Sequence, residues 1–312
     1  MPVQGGEKDG QTAWIVLLSI NPGASSQGGS FMQYFMGDFD GRNFTAYDSA
    51  ARLLEFGPDS YAAQVFSDSP DYPSKTYMIS WASNWLYTNV APTSPWRSVM
   101  TVARELSLKW YPLNPETSQY VLTQNPIDTA PIKGASIRDG QQNSTLGNTT
   151  VALTGSGAFD MNVTFSVPAS ANLPSKSIGS LIIKSTSGSQ SLRVGVLMGI
   201  PAQVFLDRRH SSDSFADNTP FFVDRFSTIV MPGLSVPGNT TSAMNITLRA
   251  IVDKSIIEVY AQDGIASATA NFWFDNEEVP ASVDLELGDT VVQASDFSIA
   301  ALNSTWTCFV ES

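Results

Sequence analysis

Cysteine, histidine and positive charge are all in short supply in this chain. Its 312 residues include one Cys, Cys308, and one His, His210. A single cysteine excludes an internal disulfide framework and any zinc site built on cysteines. A single histidine removes most metal clusters, and a Ser-His-Asp triad would need His210 beside a nucleophile. Its setting, LDRRHSSDS, is a charged turn and not the strand-to-helix elbow that presents a nucleophilic serine, so His210 reads as a solvated loop residue. Lys and Arg total 17 against 29 Asp and Glu, a formal net charge of −12. Such a chain repels a phosphate backbone, which argues against a nucleic-acid partner. Long apolar runs are missing too. The run from Trp14 to Ile20 is too short for a membrane span, no stretch elsewhere reaches that length, and MPVQGGEKDG has neither the basic nor the apolar region of a signal peptide.

What is present points to strands. The chain is 42% hydrophobic and 11% aromatic, which excludes intrinsic disorder, and only 15% charged. Low charge with abundant Ser, Thr, Gly and Pro is typical of turn-rich β proteins. The first half reads as two groups of four strands. One is Ala13 to Ile20, Phe31 to Phe39, Asn43 to Asp48 and Arg52 to Phe56, with Asp40-Gly41 as a hairpin signal. The other is Ser60 to Phe66, Thr76 to Asn84, Ser98 to Leu108 and Gln119 to Thr123. Four strands in each period of about sixty residues is the pattern of propeller blades. The pattern pauses in NPIDTAPIK, Asn125 to Lys133, which suits an interdomain linker at 126–132 between a domain over 1–125 and one over 133–312. Beyond it come Ala158 to Val167, Ile178 to Ser185, Ser191 to Met198, Ala202 to Asp207, Met244 to Val252, Ser255 to Tyr260, Ala266 to Phe274, Ser282 to Leu287 and Ala294 to Ala301. Many short alternating strands with turns between them predict a two-sheet antiparallel sandwich, in an all-β chain without long helices.

Candidate chemistry is sparse. Glycoside hydrolysis needs only two carboxylates, about 5 to 5.5 Å apart for retention. Asp38 and Asp40 lie two apart but sit at a hairpin, where Asp bonds the local backbone. Asp59 and the Glu277-Glu278 pair also lie near turns. Gly28-Gly29 has no following helix or Lys and reads as a flexible turn, not a phosphate loop. N-x-Ser/Thr sequons occur at Asn43, Asn143, Asn148, Asn162, Asn239, Asn245 and Asn303. Chance would give roughly three among the asparagines present, so the excess points to glycosylation in a secretory pathway. The most distinctive stretch is Ser80 to Leu108, which carries Trp81, Trp85 and Trp96 with Tyr87 and Asn84. It reads either as aromatic wedges between blades or as a sugar platform, in which a ring face stacks on C–H groups while Asn fixes hydroxyls.

Several ordered segments resemble glycoside hydrolase family 32, the invertases and inulinases, most closely the secreted fungal kind. They are SINPGASSQGGSFMQYFMGDFDG (Ser19 to Gly41), DSYAAQVF (Asp59 to Phe66), SWASNWLY (Ser80 to Tyr87), PTSPWRSVM (Pro92 to Met100) and REL (Arg104 to Leu106). FLDRR (Phe205 to Arg209) and IIEVYAQDG (Ile256 to Gly264) resemble that family's C-terminal module. The resemblance implies a five-bladed β-propeller followed by a β-sandwich, of which this chain would carry the last two blades and the sandwich. It implies a retaining β-fructofuranosidase by descent, acting on sucrose or fructans and extracellular, with no metal or organic cofactor. The family's nucleophilic aspartate, its Arg-Asp-Pro motif and its Glu-Cys motif have no counterpart here. Pro2-Val3 resembles the segment just after Glu-Cys, so about three blades would be lacking. No residue is then catalytic, and the chain alone is expected not to hydrolyse sucrose. Part of the fructose pocket is expected to survive in Asn21, from the INPG segment, and in Trp81, Asn84 and Trp85, from WxxNW; Trp81 and Trp85 would share a face in a straight strand, and Trp81 and Asn84 are the pair favoured as nearer the sugar. Trp96 and Arg97 would brace the blade. Two blades without their neighbours expose edges and apolar flanks, which predicts aggregation, an oligomer or a partner. The competing reading is a sandwich module that folds alone and binds a carbohydrate or a partner without catalysis.

Overall fold

A computed structural model of the chain describes residues 1–23, 29–72, 74–93, 97–140, 146–169, 173–174, 177–235 and 243–304. Among them the fold is all-β, with one six-residue helix at Asp213–Asn218 and three short 3-10 turns. The strands form four sheets.

The first sheet comprises Trp14–Gly23, Gly29–Phe39, Phe44–Ala46 and Arg52–Leu53. Asp40 makes the turn after the second strand: its Oδ1 accepts the backbone N–H groups of Arg42 (2.8 Å) and Asn43 (2.7 Å), and Gly41 follows at φ +95°. The hairpin expected there is therefore present, and Asp40 serves it. Residues directly opposite in an antiparallel pair share a face. Met32, Tyr34 and Met36 point one way into a core with Met78, Leu106, Leu108 and Leu122 of the second sheet. The other way point Trp14, Val16, Leu18 and Ile20, opposite Gly37, Phe35, Gln33 and Phe31. On that face Trp14, Leu18, Phe39 and Leu53 are exposed.

The second sheet runs Val3–Gln4, Arg104–Pro112, Thr76–Ala82 and Tyr61–Val65, with Ser118–Pro126 and Val99–Met100 paired to its inner strands. The segment read as one strand from Ser98 to Leu108 is two. The break has a physical cause: the N–H of Val102 leaves the ladder to donate to Glu258 Oε1 at 2.8 Å. The strand expected to run to Asn84 stops at Ala82.

The third and fourth sheets face each other across the largest core. The third contains Lys133–Arg138, Gln293–Leu302, Ala158–Pro168, Ala243–Asp253, Ile256–Ala261, Ala266–Asn271 and the short Gly233–Ser235. The fourth contains Thr149–Ala152, Pro280–Leu287, Ile178–Ser185, Ser191–Leu197, Ala202–His210 and Arg225–Val230. Strand alternation explains the burial: Phe159, Met161, Val163, Phe165 and Val167 point inward and meet Leu181, Ile183 and Val194. Each such side chain contributes about 1.5–3 kcal/mol on burial. Phe56 of the first half enters this same core. The chain around it lies along the strand Ala266–Asn271, with Phe56 N–H on Ser267 O and Asp59 N–H on Thr269 O. Gly57 permits that approach, since a Cβ there would stand 2.4 Å from the Thr269 backbone. Residues 126–132 are likewise held: the hydroxyl of Thr129 donates to Asp160 Oδ2 at 2.8 Å, and Arg249 binds both.

Candidate functional site

The tryptophan segment forms a tight turn at the end of Thr76–Ala82. Its backbone closes on itself through Thr88 N–H to Asn84 O (2.9 Å) and Ser83 Oγ–H to Thr88 Oγ1 (2.6 Å). Trp81 is half-buried, packs against Tyr61, and donates its Nε1–H to Ser98 Oγ at 2.7 Å. Trp85 is 42% exposed and meets the Trp81 ring edge to face at 5.2 Å. Because the chain turns after Ala82, the two indoles come together across a turn and not along one face of a straight strand. Asn84 is only 1% exposed and both ends of its amide are engaged: Nδ2–H donates to Pro58 O (2.9 Å) and Oδ1 accepts Leu86 N–H (3.0 Å). It shapes the turn. The hairpin that carries Asn21 meets this turn at its far end, where Ser30 Oγ accepts the N–H of Trp85 at 3.1 Å. Gly29 there has φ +70°, and a Cβ would stand 2.2 Å from Asn84 Oδ1. Asn21 itself is exposed. The arrangement offers one exposed indole, Trp85, on a fixed base; the turn contains no carboxylate.

Behind the turn lie buried charges, of which sequence reasoning weighed only Asp59 for chemistry. Asp59, read as lying near a turn, is fully buried: its Oδ2 accepts from Arg208 Nη1 (2.8 Å) and from Asn271 N–H (2.7 Å), and its Oδ1 accepts the Tyr87 hydroxyl. Arg208, equally buried, also donates to Asn271 O (2.6 Å), Val223 O (2.7 Å) and Tyr87 Oη (3.1 Å), with its guanidinium over the Phe222 ring at 3.7 Å. Burial pushes the Tyr87 phenol far above its ordinary range. A second buried cluster centres on Arg104, which binds Glu55 (2.7 Å), Glu258 (2.8 Å), Gln124 and Thr269. Burial pushes the Glu55 carboxyl up, with Arg104 pulling against it. Asp59, Arg104, Arg208 and Glu258 come from the segments DSYAAQVF, REL, FLDRR and IIEVYAQDG, whereas Glu55, Gln124, Thr269 and Asn271 lie outside them. Their common signal was a charge beside aromatic or apolar neighbours in otherwise strand-like sequence.

The remaining candidates are dispersed. Asp38 accepts the Tyr47 hydroxyl at 2.9 Å, and the backbone N–H groups of Asn43 and Arg42 hold Asp40 below the usual carboxylate range. Glu278 accepts from the N–H and hydroxyl of Ser187. His210 ends its strand exposed. Arg97 donates to the Asn89 carbonyl. Of the sequons, Asn43, Asn148 and Asn303 are exposed, while Asn162 and Asn245 are half-buried on the outward side of the third sheet. Asn143, Asn239, Trp96, Gly28 and Cys308 lie outside the described residues.

Comparison with known proteins matches residues 1–126 to the domain "Glycosyl hydrolases family 32 N-terminal domain" and residues 129–300 to "Glycosyl hydrolases family 32 C terminal". An extracellular exo-inulinase of Meyerozyma guilliermondii is 34% identical over 304 residues, covering 97% of this chain and 56% of that protein. Invertase 2 of Saccharomyces cerevisiae is 33% identical over 88% of this chain and 52% of its own length. Among solved structures, a β-fructofuranosidase from Schwanniomyces occidentalis complexed with fructosyl-erythritol superposes with a TM-score of 0.79 at 29% identity, over 97% of this chain and 58% of that one. An exo-inulinase from Aspergillus awamori gives 0.73 at 26% identity, over 98% and 56%. The chain thus spans little more than half the length of these relatives. With both halves matched in order, the chain belongs to glycosyl hydrolase family 32.

Proposed function

We propose that this chain carries the later part of a retaining β-fructofuranosidase that acts on sucrose or fructans. The first and second sheets serve as the last two blades of a five-bladed propeller over 1–125, residues 126–132 link them to the rest, and the third and fourth sheets form a β-sandwich over 133–312. The observation that carries the reading is the match to both family domains across nearly the whole chain, including the segments that hold the tryptophan turn. In this reading Trp85 presents its face to the fructosyl ring, Trp81 and Asn84 fix that face, and Asn21 reaches the same pocket from the neighbouring hairpin. Stacking against an open indole suits the C–H face of a sugar.

Double displacement needs a nucleophile and a proton donor about 5 to 5.5 Å apart. The sequence has no Arg-Asp-Pro and no Glu-Cys. The chain therefore supplies a wall of the pocket, and the carboxylates come from the family's other propeller blades. Those blades would seat on the exposed face of Trp14, Leu18, Phe39 and Leu53, an apolar surface of the kind that marks an interface. Likeness to the extracellular exo-inulinase supports secretion in this reading, and Asn43, Asn148 and Asn303 would be the most accessible sequons for glycans.

The test is direct. The purified chain should release no fructose from sucrose or inulin. Mixing it with the portion of the Meyerozyma exo-inulinase outside the matched region should restore release, and Trp85→Ala should lower the restored kcat/KM by about tenfold, the loss of one stacking platform. Hydrolysis by the chain alone overturns the proposal.

A further inference from the structure

The tryptophan turn belongs to the second sheet, yet much of what holds it comes from the second half of the chain. Asn271 Nδ2–H donates to the carbonyl of Ala82, where the turn begins, at 2.9 Å. At the other end the Tyr87 hydroxyl accepts from Arg208 Nη2 at 3.1 Å and donates to Asp59. Asp59 is in turn held by Arg208 and by the backbone of Asn271. Pro58, next to Asp59, accepts the amide of Asn84 at the centre of the turn. The Tyr87 ring is gripped as well, edge-on to Phe222 at 5.3 Å and to Phe215 at 6.2 Å. Trp85 thus projects from a loop whose beginning, middle and end are each fixed by a buried hydrogen bond. Two of those three fixings run directly to side chains of the second half, and the third runs to the segment those side chains hold.

Charge supports the same picture. Stability alone is a poor reason to bury Asp59 and Arg208, because replacing a buried pair by apolar groups of similar volume is often neutral. What an apolar replacement would lack is direction: a planar guanidinium that joins a carboxylate, a phenol and two backbone carbonyls fixes all of them relative to one another.

We propose that Arg208 and Asn271 are positioning residues for the tryptophan turn: the second half sets the orientation of the Trp81–Trp85 pair through a clamp on Ala82 and Tyr87. That the clamped wall faces fructose rests on the reading above; the clamp itself does not. Two variants release it without unpairing a buried charge. Tyr87→Phe keeps the ring but cuts the hydroxyl link, and Asn271→Ala frees the Ala82 carbonyl while leaving the backbone bonds to Asp59 and Arg208. Ile183→Val, far from the turn in the third and fourth sheets' core, serves as a control with a comparable fall in Tm.

The readout is the indole ¹⁵N–¹H resonances of the full chain, recorded below Tm and assigned by Trp81→Phe and Trp85→Phe, with and without fructose as titrant. The clamp predicts that Tyr87→Phe and Asn271→Ala shift the Trp81 and Trp85 resonances and weaken fructose binding by about three- to tenfold, the range expected when one buried hydrogen bond is lost. Ile183→Val should move neither. If Tm falls in the clamp variants while both resonances stay in place, the bonds only stabilise the fold and the proposal is overturned. If the resonances move but fructose perturbs no indole in any variant, the clamp stands and the assignment of the turn to a sugar falls.

Discussion

Asp59 has no solvent contact, and every hydrogen bond it accepts comes from a group that is itself buried. Removing the carboxylate leaves the Arg208 guanidinium charged in a low-dielectric site with only carbonyls and a phenol for company. Breaking one side of such a pair costs about 3–5 kcal/mol, whereas removing both can be nearly neutral. Asp59→Ala should therefore lose about that much in urea unfolding, and Asp59→Ala with Arg208→Met should recover most of it. A single-variant loss below about 1 kcal/mol would mean that water or another acceptor reaches Arg208. The same residue shows where sequence reading reached its limit. Asp59 follows Gly57-Pro58 and so looked like a turn residue, and nothing local reveals an arginine that lies 149 positions away. Asn84 is a milder case. Its place in WxxNW was legible, but its amide is spent on Pro58 and Leu86, a fate decided by tertiary contacts.

At the scale of elements, local signals carried further. Most strands lie within a residue or two of their expected limits, because period-two alternation between a core face and an outer face is a local property. The Asp40-Gly41 hairpin was legible for the same reason. Some strands were missed: Lys133–Arg138 has four exposed residues in a row, Gly233–Ser235 is too short to show a period, and Thr149–Ala152 and Arg225–Val230 went unread although the latter alternates. The division of Ser98 to Leu108 was missed because its cause, Glu258, lies elsewhere in the sequence. Gly29 shows how an element can depend on one atom's absence. It holds φ +70° where the hairpin packs on Asn84 and Leu86. An L-residue in that conformation costs about 1–2 kcal/mol, and the added Cβ must also push Asn84 off its two hydrogen bonds. Gly29→Ala should thus destabilise the chain by at least about 2 kcal/mol in chemical unfolding and alter the near-ultraviolet circular dichroism of the Trp81–Trp85 pair. Full stability with an unchanged aromatic signal would show that the hairpin can slide.

On the scale of the whole molecule, the two halves are joined by buried charge, and that junction should respond to pH. Arg104 is one cation between two carboxylates, Glu55 and Glu258, all three almost wholly shut from solvent. Were both carboxylates ionised, one negative charge would be left over; Tyr260 also joins the cluster by donating to Glu258 at 2.7 Å. Burial, the largest influence on Glu55, raises its pKa against the pull of Arg104 and Thr269. The folded chain then binds that proton more tightly than the unfolded chain does. Glu55 accordingly contributes stability that is fully present below the ordinary glutamate pKa and is lost as pH rises through the higher folded value. Glu55→Gln stays uncharged throughout, so the difference in unfolding free energy between the native chain and this variant should fall as pH rises from that ordinary range. The slope for one proton is at most about 1.4 kcal/mol per pH unit. Exposed carboxylates such as Asp40 and Asp48, held low by backbone N–H groups and by Arg52, oppose this on the acid side but cancel in the difference. Urea unfolding from pH 4 to 8 measures it. A difference that rises with pH would mean that Arg104 outweighs burial and that Glu55 stays ionised in the folded state, in which case the junction carries an unneutralised charge and must be held chiefly by the apolar contact of Phe56 with the larger core.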